Sequence, residues 1–435
     1  MNLQLCSPAH FPRRSLLKAG AAGFWLTPLA HQLARAAESD ANGSASRPKT
    51  VILLWLQGGA SQLETFDPHA GTLIGGETQS IETSVKGIEI ANTLPAVAEQ
   101  MHRLAIIRSV TSKEGDHVRA MYNIKTGYRP DPTLIHPSIG AIACHQLPGG
   151  ADIPHHISIL PDNQASRGGY LGAKYDAVKV YDPAGPIPDV HKRANDSRYQ
   201  ARVKDLLETL EPEFSRGRLN KLEAEKTLHV TATREALTMM TSDQLDAFNV
   251  MQESASERER FGNTPFGRGC LAAARLAEVG VRCIEVTLSG WDSHVNNHVL
   301  QSTACKTLDP AFAALMVRLA ERDLLSTTLV VCASEFGRTP TINPVGGRDH
   351  WPHGFSMAIG GCGIRSGVIH GSTSPQPKLD PKQPDVDLQD RVTVADVQAT
   401  ILAALGVDWN HELLTPIGRP MKFSEGTPIK NILNG

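Results

Sequence analysis

Three observations predict an α/β fold with a mixed, mainly parallel central sheet flanked by helices. Apolar strand-like runs alternate with helix-like segments along most of the chain. The first run, TVILLWL at Thr50–Leu56, is apolar almost without a break, as in a central parallel strand covered on both faces. Segments rich in Gly, Asp and His follow directly after four of the strands, at the carboxyl edge where open α/β sheets gather their sites.

The elements follow in order. Strands are expected at Thr50–Leu56, Leu104–Val110, Ile157–Leu160, Val281–Leu288, Thr328–Ala333 and Phe355–Ile359. Thr264 before Pro265 marks a helix start, and Gly280 closes that helix just after Glu278. Asp309–Pro310 gives a second start signal, ahead of an apolar face of Phe312, Leu315, Met316 and Leu319. Thr393 and Asp396 have capping-box spacing before Val394, Val397, Ile401 and Leu405, and Gly406 ends that helix. Ala201–Met251, rich in Glu, Lys, Leu and Ala, reads as one or two long helices within an insertion spanning about 198–260.

The amino terminus carries an address. Arg13 and Arg14 precede a short apolar run, Ala19–Ala30, and a small-x-small end at Ala34–Ala36. This is the anatomy of a secretory signal, and the paired arginines point to the twin-arginine export machinery as a partner. Residues 1–37 are therefore expected to be the signal, 38–49 a polar linker and 50–435 a single domain in the periplasm or extracellular space. The apolar run is too short for a stable transmembrane span after cleavage. The 43 Lys+Arg nearly balance the 45 Asp+Glu with no basic stripe, which argues against a nucleic-acid partner. Six cysteines lie beyond the signal, scattered and mostly within apolar runs, so they do not form a disulfide scaffold; Cys283 and Cys332 read as buried strand residues.

Of the 17 histidines only His10 and His31 fall in the signal, and several others stand beside carboxylates and glycines. In GWDSHVNNH, Asp292 and His294 alternate, and His298 follows one helical turn later. Carboxylate and imidazole together suit a divalent metal such as zinc, manganese or iron. In SEFGRTP, Glu335 follows a strand directly as a candidate ligand, and Arg338 could pair with it or hold an anion. In GGRDHWPH, Asp349, His350 and His353 offer up to three ligands, or one carboxylate orienting one histidine, with Arg348 as a further anion holder. In TSKEGDH, the hydroxyl of Thr111 or Ser112 is a candidate nucleophile, and His117 could support a substrate or ligand. Asp67, in DPH, can reach the same sheet edge. No Gly-x-Ser-x-Gly elbow, HExxH motif or phosphate-loop lysine occurs.

WLQGGASQLETFDPH, HPSIG at His136–Gly140, GWDSHVNN, SEFGRTP and GRDHWPHGFSMAIGG together resemble the DUF1501 family. That family is similar in turn to the alkaline phosphatase and sulfatase superfamily. The resemblance implies hydrolysis of phosphate or sulfate esters by Asp and His metal ligands with a Ser, Thr or modified Cys nucleophile. It sets the stretch ending at Thr126–Gly127 against the segment that bears the nucleophile, and His350 or His353 in the place of a final ligand. The chain departs from the pattern at Gln57, where a ligand Asp is usual, and at Phe336, where a His is usual, and it lacks a Cys-x-Pro-x-Arg site. The expected function is a metal-dependent hydrolase of extracytoplasmic phosphate or sulfate esters, its ion being zinc, manganese, iron or calcium. A non-catalytic binding or assembly protein on the same fold is the alternative, and a metal-free carbohydrate hydrolase using Glu335 and Asp292 a third.

Overall fold

The computed structural model describes residues 49–147, 149–162, 166–185, 238–240 and 242–434. The signal, the linker except Lys49, and most of the helical insertion lie outside the described residues. The described end of the insertion forms 3₁₀ turns at Asp243–Phe248 and Val250–Gln252 and a short helix at Ala255–Arg260.

Nine strands form the central sheet: β1 (Thr50–Gln57), β2 (Leu104–Thr111), β3 (His156–Ile159), β4 (Val178–Val180), β5 (Cys283–Ser289), β6 (Thr328–Ala333), β7 (Phe355–Gly361), β8 (Val368–His370) and β9 (Val392–Thr393). Their order is β8-β2-β7-β6-β1-β5-β3-β4, and β9 pairs with the carboxyl end of β2. β7 runs antiparallel to β2 and β6, and the other pairings are parallel. The sheet is thus mixed and mainly parallel.

β1 shows why its run is apolar throughout. Side chains alternate between faces along a strand. Ile52, Leu54 and Leu56 join a core with α3 (Pro265–Glu278) and α4 (Asn297–Glu321). Val51, Leu53 and Trp55 join another with α1 (His117–Thr126), α2 (Ile139–Gln146) and α5 (Val394–Ala404). Helices cover both faces, so β1 has no polar side.

The caps form where expected at two helices. The Thr264 hydroxyl accepts the Gly267 N–H at 3.0 Å, and Thr393 and Asp396 close a capping box at α5. Gly406 follows α5 with φ 72°, a conformation that glycine adopts without steric cost. Asp309–Pro310 is a correction. These residues lie inside α4, a single helix of 25 residues, and do not begin one. The Asp309 carboxylate accepts the N–H groups of Ala96 (3.0 Å) and Val97 (2.8 Å), so it caps the neighbouring Pro95–Glu99 helix instead of its own. The expected apolar face of α4 is buried. β4, β8 and β9 are two or three residues long, too short to leave a periodic signal.

Candidate metal centre

The carboxyl ends of β1, β2, β5 and β6 converge. β1 ends in Gly58 and Gly59, with φ of 119° and 85°. A Cβ on Gly58 would lie 2.5 Å from the Asp292 nitrogen, and one on Gly59 would lie 2.6 Å from the Phe336 ring. Only glycine lets the loops after β1, β5 and β6 close to this distance. The loop after β5 is pinned from beneath by Gln301 of α4, which donates to the Trp291 carbonyl (2.9 Å) and the Ser293 hydroxyl (2.8 Å).

Four side chains meet there. His117 opens α1, Asp292 and His294 follow β5, and His350 lies in a two-residue ladder whose other strand is Gly337–Arg338. Each imidazole has its Nδ1 held by an acceptor. For His117 the acceptor is Glu335 (2.9 Å), for His294 it is Asp349 (2.6 Å), and for His350 it is the Gly115 carbonyl (2.8 Å). A carbonyl or carboxylate only accepts, so these partners place the proton on Nδ1 and leave a lone pair on Nε2. All three Nε2 atoms face Asp292, at 3.5 Å for His117, 3.2 Å for His294 and 3.5 Å for His350. The His294 and His350 Nε2 atoms are 3.0 Å apart. In neutral rings with those tautomers neither can donate to the other. Lone pairs gathered around a carboxylate repel one another unless a cation lies among them. Ligands about 2.05 Å from a tetrahedral ion are about 3.3 Å apart, and one ligand atom each from His117, Asp292 and His350 lie within 4.8 Å of one another.

The electrostatics agree. Asp292 is half-exposed. Burial raises its pKa, but the Arg338 guanidinium outweighs this and holds the carboxyl below its ordinary range. The hydrogen bond to Glu335 raises the His117 pKa, and burial lowers that of His350. Glu335 and Asp292 favour positive charge at His117, a field that a divalent cation among the rings would also satisfy.

The remaining expected residues separate by geometry. Glu335 is fully buried, and its Oε1 accepts from Gly58 N (2.8 Å) as well as His117, while Oε2 lies 3.1 Å from the Ser334 hydroxyl, which donates to the Leu56 carbonyl at 2.6 Å. It orients His117. Asp349 likewise contacts His294 Nδ1. Arg338 donates to the carbonyls of Gly58, Gly59 and Arg348 and to Asp292 at 2.7 Å, so it fixes Asp292 with every nitrogen engaged. Arg348 is buried against Glu64 and the carbonyls of Thr339, Pro340 and Ile74. Thr111 donates to Asp385 (3.0 Å) and Ser112 to Asn123 (3.0 Å), both buried. Asp67 sits with His69, Arg108 and Thr373 in a separate buried cluster. His298 contacts Thr78 (3.4 Å), and His353 is half-buried outside the group. Phe336 was read from the sequence only as a departure. Its buried ring packs on His117 (5.0 Å between centroids) and His350 (4.4 Å) and forms a wall of the centre.

The family model for DUF1501, described as a protein of unknown function, matches residues 48–433. The chain belongs to the DUF1501 family. No curated protein matches its sequence. Among solved structures, a protein of the alkaline phosphatase superfamily from Vibrio parahaemolyticus is similar to this DUF1501 chain at 12% identity and TM-score 0.37, over 84% of this chain and 68% of the other. The C-terminal periplasmic domain of EcEptC from Escherichia coli, in complex with Zn, is similar at 11% identity and TM-score 0.37, over 90% and 93%. A 2-O GAG sulfatase is similar at 9% identity and TM-score 0.40, over 83% and 71%. A second group, His156, Cys283 and Glu285, could also hold a divalent ion.

Proposed function

We propose that this DUF1501 protein is a divalent-metal-dependent hydrolase of phosphate or sulfate esters, working outside the cytoplasm after twin-arginine export. Its ion would be held by His117, Asp292, His294 and His350. The observation that carries the reading is the convergence of three Nε2 lone pairs on one carboxylate. An imidazole-rich set favours zinc, manganese or iron over calcium, which takes oxygen ligands.

When bound, a divalent cation acts as a Lewis acid, neutralising ester oxygens and making water a stronger acid. The chain does the rest. Glu335, Asp349 and the Gly115 carbonyl fix the three rings, and Arg338 fixes Asp292. Phe336 closes the inner wall against water, while the half-exposed side of Asp292 and His294 leaves an entrance for an ester. The Thr111 and Ser112 hydroxyls are buried and engaged, which supports water entering by that side as the attacking group.

The test is metal content and turnover of p-nitrophenyl phosphate and p-nitrophenyl sulfate by the mature protein from its export compartment. Wild type should carry an ion that Asp292→Ala and His350→Ala lose, with ester hydrolysis lost in parallel. A folded protein that takes up no ion sensitive to Asp292 sinks the proposal. The engagement of every Arg338 and Arg348 nitrogen, with no free guanidinium left for the ester, favours a second reading. In it the ion serves binding or assembly without turnover, and the ion would be present but neither ester cleaved.

A further inference from the structure

Beneath the sheet, on the face covered by α1 and α2, lies a second meeting of imidazole and carboxylate. His156 from β3 stands beside Cys283 and Glu285 from β5, all three buried. The His156 Nδ1 lies 2.8 Å from the Tyr175 carbonyl, so its proton is on Nδ1 and its Nε2 carries the lone pair. That Nε2 is buried with no hydrogen-bond partner, and the nearest Glu285 oxygen is 3.8 Å away. One ligand atom each from His156, Cys283 and Glu285 lie within 4.8 Å of one another. α2 meets the pair at Gly140, where a Cβ would strike both Cys283 Sγ and His156 Nε2.

Lys125 contacts Glu285 (3.3 Å) and Asp162 (3.2 Å), and Ser166 donates to Glu285, so Glu285 is held in place beside the unpartnered His156 Nε2. The donor set of nitrogen, sulfur and oxygen is one that zinc takes. A cavity of about 570 Å³ is lined by His156, Cys144 and Tyr175 and gives access from the His156 side.

We infer that His156, Cys283 and Glu285 form a buried site for a zinc-class ion, separate from the open centre and serving the fold. Sulfur gives a test independent of the open centre, whose donors are nitrogen and oxygen alone. The full chain is expressed in cobalt-supplemented medium, so that the ion is offered while the protein folds. A thiolate-to-cobalt charge-transfer band is expected in wild type and in Asp292→Ala, and absent in Cys283→Ser. With zinc, wild type should hold one ion more per chain than Cys283→Ser. If Cys283→Ser does not fold, X-ray absorption of zinc-loaded Asp292→Ala decides, through a sulfur neighbour at about 2.3 Å. Cobalt-loaded wild type without the band, a band that survives in folded Cys283→Ser, or a zinc spectrum without sulfur overturns the inference. Loss of the open centre's ion with the band retained would reject the proposed hydrolase and leave this site standing.

Discussion

The open centre and the buried cluster are built on one plan and differ in what balances them. In each, an acceptor holds histidine Nδ1 and turns Nε2 toward a carboxylate. At the strand ends the carboxylate is half-exposed and tied to Arg338, with water at hand. Beneath the sheet the carboxylate is fully buried and tied to Lys125. Solvent thus relieves the first site, so its groups can be arranged for a ligand. The second is shielded from solvent, so its groups bear on the fold. Loss of a charge should therefore register as affinity in one place and as stability in the other.

The largest effect is expected at Lys125. Lys125→Met leaves Glu285 and Asp162 without their ammonium, and removing one partner of a buried pair costs about 3–5 kcal/mol. Urea unfolding at neutral pH measures it, and a loss under about 1 kcal/mol would remove the distinction drawn above. Acid tests the same pair. Burial pushes the Glu285 pKa up, but Lys125, His156 and Ser166 together outweigh it and bring the carboxyl from 4.5 down to about 2. A folded pKa below the unfolded one stabilises above the unfolded value and is lost as pH falls through the folded one. In metal-free protein the stability gap between wild type and Glu285→Gln should therefore be full above pH 4.5 and shrink toward pH 2.

At the open centre the same kind of change should act on the ion. Asp292→Ala removes a ligand and should weaken metal affinity by more than about 100-fold, beyond the 10–100-fold typical of groups that only orient ligands. Glu335→Gln should fall in that 10–100-fold range, because a buried carboxylate is the sole Nδ1 partner of His117. Asp349→Asn should cost about 10-fold or less, since Asp349 is well exposed and water can replace it on His294. Competition titration with a chromogenic chelator ranks the three. An Asp349 effect equal to that of Glu335 would show that burial does not set the strength of this support.

Much of this was legible in the sequence. Asp292, His294 and His350 were named as candidate ligands and His117 as a supporting residue, because strand ends followed by Gly, Asp and His are a local pattern. The division of labour was less so. Asp349 could be read as a ligand or as a carboxylate orienting a histidine, Glu335 as a ligand or a partner of Arg338, and the position of each Nδ1 places both against a ring. Arg348 and Asp67 carry suitable chemistry, but their partners (Glu64 for one, Arg108 and Thr373 for the other) come from distant segments. Asp309–Pro310 misled for the same reason, since its cap is made to another helix. The buried cluster had one visible trace: Glu285 inside the apolar run VRCIEVTL, a charge at a core-facing strand position. Its counter-ion, Lys125, comes from α1, and no spacing rule joins the two.

The smallest expected effect sharpens the contrast most. Asp292, like Glu285, has a pKa held below the ordinary carboxyl value. Burial works against ionisation, and the hydrogen bond and charge of Arg338 outweigh it. The sign is therefore the same: any stability it contributes is present above about pH 4 and fades as pH falls. Its size should differ. Asp292 is half in solvent, and exposed pairs contribute roughly 0–1 kcal/mol. In chelated protein, Asp292→Asn should differ from wild type by less than about 1 kcal/mol at pH 7 and by nothing measurable at pH 3, read from urea midpoints. A neutral-pH loss as large as that of Glu285→Gln would mean that Asp292 also carries the fold, and the open centre would then be a structural ion pair to which a metal is incidental.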